Sequence, residues 1–351
     1  MILIPKPSRH CNEKWNYQNL GSDWECECSE GKEQSPIDLP LPDAAIDTAI
    51  KPIFQYDRID PVSDVTTLDQ RLEDNKNFQI RVEDGAIRIK YMKFGKAVTL
   101  DGAVYYAEEI VFHTPSEHKI NGKQYDMEVQ ILHYGQTKGD IAKQLTLSFL
   151  FETKAGIYNK FIDDIDFFNL PGMLNPKVDL NKEIYIPKIL YEATSHETVQ
   201  MKPFSFFTYQ GSLTFPPCAE DTIVYVASQP LFIGTTAIQL FTEALRIPDM
   251  MGANGNVIVS DWMPLSRRDV QELNGRPIFH YDHIKQCGPD PKINIPEPGH
   301  YEKIEKVATK YFYINNLTPS GIPGAFVVSE DEAKGVKPGK PKLRNDPVYG
   351  P

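Results

Sequence analysis

A mainly β fold, built as one large and mostly antiparallel domain, is predicted by three features of this 351-residue chain. Runs rich in β-branched and aromatic residues recur along it. Between them stand Gly, Asp and Asn, the residues that turns favour. Only one stretch carries apolar residues at helical spacing, so helices are few and peripheral.

The strand-like runs, in order, are FQIRVEDGAIRIKYM from Phe78, KAVTLDG from Lys96, QLTLSFLFE from Gln144 and DTIVYVASQPLFIG from Asp221. The helix is expected at TTAIQLFTEALR, Thr235 to Arg246, where apolar residues fall three and four apart. Two further strands are expected around Val111 and Gln130. Alternate side chains on a strand share a face, so Val111 and His113 point one way, as do Glu128, Gln130 and Leu132. The segment between them, PSEHKINGKQYD, holds Pro115 and an Asn121-Gly122 pair and reads as a connection between antiparallel strands. Both strands can therefore aim their facing positions into one cleft.

Four ordered blocks give the chain a family resemblance. They are KWNYQNLGSDWECECSEGKEQSPIDL near the start, IVFHTPSEHKINGKQYDMEVQILHYG in the middle, GSLTFPPCAED, and SRRDVQELNGR. Together they resemble the α-carbonic anhydrase family, and in particular its acatalytic carbonic anhydrase-related members. The resemblance runs from about Trp15 to Arg276. It implies a twisted central sheet, mixed but mainly antiparallel, with a few peripheral helices, to which the composition of this chain adds an extended C-terminal arm. The implied division is an N-terminal extension at 1–14, the family-like domain at 15–286, and a Pro- and Gly-rich extension at 287–351.

The same resemblance places Val111, His113 and Gln130 where the family sets three zinc-binding histidines. A catalytic zinc takes three protein ligands and keeps one position open for water. Valine has no lone pair to give, and Gln130 offers only a neutral carbonyl oxygen. No zinc and no other cofactor is therefore expected. The family's pair of a threonine hydroxyl and an orienting glutamate is matched by Thr214 and Glu117, and its acid two residues before the third ligand by Glu128. Lys76 stands at the proton-shuttle position, where an unperturbed lysine is a poor shuttle near neutral pH. Phe215 replaces the loop's second threonine, and Val224 a pocket tryptophan. No catalytic residue is expected, and Thr214, Glu117 and Lys76 are vestigial. His118 and His133 match family histidines that form structural hydrogen bonds.

The other histidines supply no substitute triad. His280 and His283, in HYDH, have a spacing that could bind metal but are expected to be solvated. His10, His196 and His300 lie in polar or Pro-flanked surroundings. Cys28 and Cys218 match positions joined by a disulfide in exported family members, which favours an oxidising space such as the mitochondrial intermembrane space or another lumen. Cys11, Cys26 and Cys287 remain, an odd number.

Charge points away from nucleic acid: 37 Lys and Arg against 48 Asp and Glu give a net charge of -11, with no basic stripe. No run approaches the roughly 18 apolar residues of a bilayer span, and the start is too short in apolar residues for a secretory core. A soluble or peripheral protein is expected. Beyond Cys287 the chain is rich in Pro and Gly yet carries Tyr311-Phe312-Tyr313 and Phe326-Val327-Val328, clusters unusual in a plain linker. This arm is expected to add binding surface. The function implied is a non-catalytic structural, assembly or binding subunit with protein partners, first among them a large membrane-associated complex. The alternative is CO2 hydration or ester hydrolysis through an unconventional metal site containing His113, Gln130 and water.

Overall fold

In a computed structural model the described residues are 15–60, 78–135, 144–172, 175–194, 199–246, 250–251, 257–258 and 265–287. Lys76, His10, His196, His300, the extension at 1–14 and residues 288–351 lie outside them.

One 12-stranded sheet dominates. Its strands are β1 (Ile46–Asp47), β2 (Ile53–Tyr56), β3 (Gln79–Glu83), β4 (Ala86–Val98), β5 (Val104–His113) and β6 (Met127–Gly135). They continue as β7 (Gln144–Thr153), β8 (Lys177–Asp179), β9 (Phe206–Gly211), β10 (Thr222–Ala227), β11 (Leu231–Ile233) and β12 (Phe279–Tyr281). The order across the sheet is β8-β3-β4-β5-β6-β7-β10-β9-β12-β1, with β2 added on β4 and β11 on β7. Pairing is antiparallel except for β7 with β10, β7 with β11, and β1 with β12. The expected mixed, mainly antiparallel sheet is present.

Alternation on the central strands divides the protein into two faces. Ile110 and Phe112 of β5 and Val129 and Ile131 of β6 enter the main core with Ile89, Leu147 and Phe149. The helices α1 (Glu27–Glu30), α2 (Lys160–Asp164), α3 (Thr235–Ala244) and α4 (His283–Cys287) are short. The predicted helix is α3, which buries Ala237 and Phe241. Phe112 packs 5.1 Å from Phe241 and 6.4 Å from Phe161 of α2, ring centre to ring centre. That packing turns Val111 and His113 to the opposite face.

Two local features hold the register. Asn121 and Gly122 both have positive φ, 50° and 77°, and Ile120 pairs with Lys123 across them. This is the tight hairpin turn that an Asn-Gly pair favours. Gly95, at φ 126°, lies where a Cβ would stand 2.2 Å from the Gln55 carbonyl oxygen. It lets β2 close on β4 where the β4–β5 register shifts.

His280 and His283 correct the expectation of solvated side chains, since both are buried. The HYDH segment closes the sheet, with His280 paired against Phe207. His280 Nε2 lies 3.0 Å from Ser228 Oγ, and burial lowers its pKa. Local polarity suggested solvent; the long-range pairing removes it.

His133 sits in the sheet interior between Tyr56 Oη, 2.9 Å from Nε2, and the carbonyls of Ile131 and Leu145 at Nδ1. Burial lowers its pKa to about 4. The unfolded chain therefore binds the proton first, and the stability tied to neutral His133 is full above pH 6.5 and lost as pH falls toward 4. The shift corresponds to about 3 kcal/mol. Urea unfolding of wild type and His133→Gln at pH 7 and 4.5 should show a clearly shallower acid loss in the variant. Equal losses would refute the assignment.

Candidate functional site

On the face turned away from the main core, β5 and β6 place Val111 opposite Gln130 and His113 opposite Glu128. All four are buried. The turn after β5 returns Glu117 and His118 to the same place, and the loop after β9 brings Thr214 and Phe215.

Glu128 is the electrostatic centre. Its Oε1 accepts from His118 Nδ1 at 2.8 Å and from Gln130 Nε2 at 3.0 Å, and its Oε2 accepts from the backbone N–H groups of Glu117 and His118 at 2.9 and 2.8 Å. Burial alone would raise its pKa; the facing His118 and these bonds bring it down to about 2 instead. His118 Nε2 in turn lies 2.7 Å from Tyr209 Oη. Thus His118 is a hydrogen-bonding link, as is His133.

Glu117 is held the other way. Its Oε1 accepts from the Arg268 backbone N–H and its Oε2 from Gln130 Nε2, both at 2.8 Å. Burial, with the nearby Glu128 charge, raises its pKa to about 8, so the carboxyl is neutral at pH 7. Two carboxyl groups thus sit together with one charge between them. His113 donates from Nδ1 to the Ser266 carbonyl at 2.5 Å, and its Nε2 stands 3.4 Å from Glu117 Oε2 without a hydrogen bond to the protein. Burial lowers its pKa to about 4, leaving the ring neutral.

Gln130 is fully engaged. Its amide N–H groups serve Glu117 and Glu128, and its Oε1 accepts from Thr214 Oγ1 at 3.3 Å. The Thr214 hydroxyl, with one proton, also lies near enough to Glu117 to lower its pKa. Glu117, Thr214, Gln130 and His113 are therefore brought together, while Lys76 lies outside the described residues.

Apolar and aromatic side chains close the remaining space. Val111 belongs to a cluster with Leu132, Leu213, Phe215, Tyr17 and Trp24. Arg88 of β4 is the cross-strand partner of Val111 and forms a buried ion pair with Glu109, 2.7 Å from Nη1 to Oε1. Its guanidinium lies 4.3 Å over the Phe215 ring, and Trp15 stacks on Phe215 at 6.2 Å. Sequence reasoning missed Arg88 and Glu109. The signal was present, because Ile87 and Ile89 point to the core and alternation sends Arg88 to the face of Val111.

The opening segment is fastened over this face. Cys28 and Cys218 form the disulfide that the family resemblance implies, and Cys26 is disulfide-bonded as well. Arg268 donates to Gln34 Oε1, the Ser35 carbonyl and the Cys28 carbonyl at 2.6–2.9 Å.

The donor set does not match a zinc ion. Of the three facing positions only His113 presents an aromatic nitrogen, Gln130 offers a neutral amide oxygen already 3.3 Å from the Thr214 hydroxyl, and Val111 has no donor. Among the described residues no group of three or more His, Cys, Asp or Glu could hold a metal. Chemically the cluster is a hydrogen-bonded polar network under an apolar cover, in which His113 Nε2 has no hydrogen-bond partner among the described residues. Changing Glu128→Gln, which turns an amide against two backbone N–H donors, should cost about 3–5 kcal/mol in urea unfolding. A loss under 1 kcal/mol would show that the network does not rest on that charge.

The sequence matches the eukaryotic-type carbonic anhydrase family over residues 12–282. It is 26% identical over 270 residues to dioscorin DB3S of Dioscorea polystachya, covering 77% of this chain and 84% of that protein. It is 27% identical over 267 residues to a carbonic anhydrase of Neisseria gonorrhoeae, covering 76% and 83%. In fold it is similar to the α-carbonic anhydrase of Thermovibrio ammonificans solved with sulfanilamide, with TM-score 0.55, 22% identity and coverage of 76% and 98%. A dioscorin solved with ascorbate is similar too, with TM-score 0.54, 21% identity and coverage of 78% and 97%. No helix among the described residues is long and apolar enough to cross a membrane. The matched span exceeds half the chain and contains the whole described site, and the chain belongs to the eukaryotic-type carbonic anhydrase family.

Proposed function

We propose that this chain is a non-catalytic carbonic anhydrase-like protein, a structural or binding subunit in which the zinc positions have passed to Val111 and Gln130. The observation that carries this reading is the filled site. Val111 is packed among Leu132, Leu213 and Phe215, and all polar atoms of the Gln130 side chain are bound within the protein. Hydration of CO2 needs a metal-activated water and room for substrate beside it. Here the Arg88–Glu109 pair and Phe215 take up the corresponding face. Function then lies on the surface of the domain, where a protein partner can be engaged.

The test is elemental analysis of the purified full chain together with a CO2 hydration assay on the same sample. The expected result is less than stoichiometric zinc and no turnover. Stoichiometric zinc with turnover would overturn the proposal.

A further inference from the structure

On the opposite side of the sheet from the Val111–Gln130 site is a cavity of about 270 Å³. Leu190, Phe204, Pro230, Leu231 and Phe232 give it an apolar wall, and Lys202 lines it as well. Two ammonium groups attend the Phe232 ring: Lys154 Nζ lies 4.4 Å and Lys202 Nζ 5.4 Å from its centre. Lys202 also pairs with the buried Glu192 at 3.1 Å, whereas Lys154 is exposed and forms no ion pair among the described residues. An occupant should therefore be apolar at one end and acidic at the other.

The last described helix starts beside this cavity. The His283 N–H donates to Ser205 Oγ at 2.9 Å, and the Ser228 N–H donates to the Ser205 carbonyl. Ser205 follows Phe204 of the wall, and Ser228 precedes Gln229 of the rim. The chain beyond Cys287 contains Phe326-Val327-Val328 followed after one serine by Glu330-Asp331-Glu332. An extended residue spans about 3.3 Å, so the intervening chain easily returns to a wall this near. Three apolar side chains and then three carboxylates match, in order, the cavity and its lysine-bearing rim.

We propose that residues 326–332 dock intramolecularly into this cavity, with Phe326, Val327 and Val328 against Phe204 and Leu231 and the acidic triplet against Lys154 and Lys202. The docked segment covers an aromatic patch of the domain and ties the C-terminal extension to the sheet. Contacts of this size slow amide exchange locally without changing the global unfolding of the domain.

The test uses the full chain. Carbodiimide crosslinking, read by peptide mass mapping, should join Lys154 or Lys202 to Glu330, Asp331 or Glu332 within one chain, at a yield independent of protein concentration. Hydrogen exchange at residues 203–205 and 229–232 should be roughly tenfold faster in Phe326→Asp than in wild type. Phe326 lies beyond residues 12–282, the span the family model matches, so the unfolding midpoint should stay unchanged. Lys154→Glu should abolish the crosslink through position 154, and adding Glu330→Lys and Glu332→Lys should restore a crosslink there with the partners exchanged. A crosslink found only between chains would assign the cavity to a second copy. No crosslink, with exchange unaltered by Phe326→Asp, would leave the segment undocked. Either result overturns the proposal.

Discussion

Val111→His and Gln130→His together should turn this chain into a zinc binder, raising affinity by on the order of a thousandfold or more over wild type, because two imidazoles join His113 to complete a three-nitrogen set. The supporting shell already stands. His113 Nδ1 is held by the Ser266 carbonyl, which leaves Nε2 as the free donor. Glu128 Oε1 now accepts from Gln130 and can accept instead from an imidazole N–H at that position. Isothermal titration with zinc reads the gain. Failure of the double variant to bind would mean that the two strands no longer hold these positions at ligand spacing.

Zinc alone should not give this variant turnover. The Arg88 guanidinium and Phe215 remain on the face of Val111, and a reactive water needs both an open position and space for substrate. Phe215→Thr should be added, and Arg88→Ala only with Glu109→Gln. Removing the arginine alone would leave the buried Glu109 carboxylate with only the Lys90 ammonium at 3.9 Å, at a cost of about 3 kcal/mol. Activity in the double histidine variant without these changes would show that the plug is displaced easily.

The difference between those two layers is also the difference between what the sequence made legible and what it did not. Val111, His113, Glu128 and Gln130 were placed on one face by a period of two and by an Asn-Gly turn that sets the direction of the second strand. The helix at Thr235–Ala244 was legible because its apolar spacing lies within one element. Arg88 was legible by the same alternation, between Ile87 and Ile89; what was not legible is that it meets Glu109, which depends on the register of β4 on β5, and no local pattern specifies that register. His280 failed for the same reason. Its neighbours in sequence are polar or aromatic, but its surroundings are set by Phe207 and Ser228 from distant strands. The neutral Glu117 beside the ionised Glu128 was likewise out of reach, since both carboxyls look alike until burial and hydrogen-bond donors are counted.

Cys28→Ala with Cys218→Ala should destabilise the domain by about 5 kcal/mol, the largest stability effect expected of any pair here. The bridge spans a sequence separation of 190 residues, so breaking it returns a long loop's closure entropy to the unfolded chain. Mutation is preferable to reduction because Cys26 is disulfide-bonded too, and a reductant would confuse the two bridges. The backbone contacts at both ends do not depend on sulfur: the Cys28 carbonyl accepts from Arg268 and the Cys218 carbonyl from Gln34. The native fold should therefore persist in the variant, with a lower urea midpoint and a raised m-value, because the unfolded chain without the crosslink exposes more surface. Local opening should appear first where the opening segment lays Tyr17 and Trp24 over Val111 and Phe215, and amide exchange there should rise before that of Ile131 or Leu147 in the main core. A loss below about 1 kcal/mol would mean that the unfolded chain is already restrained elsewhere, and that the cover over the site is held by Arg268 and the aromatic cluster rather than by the bridge.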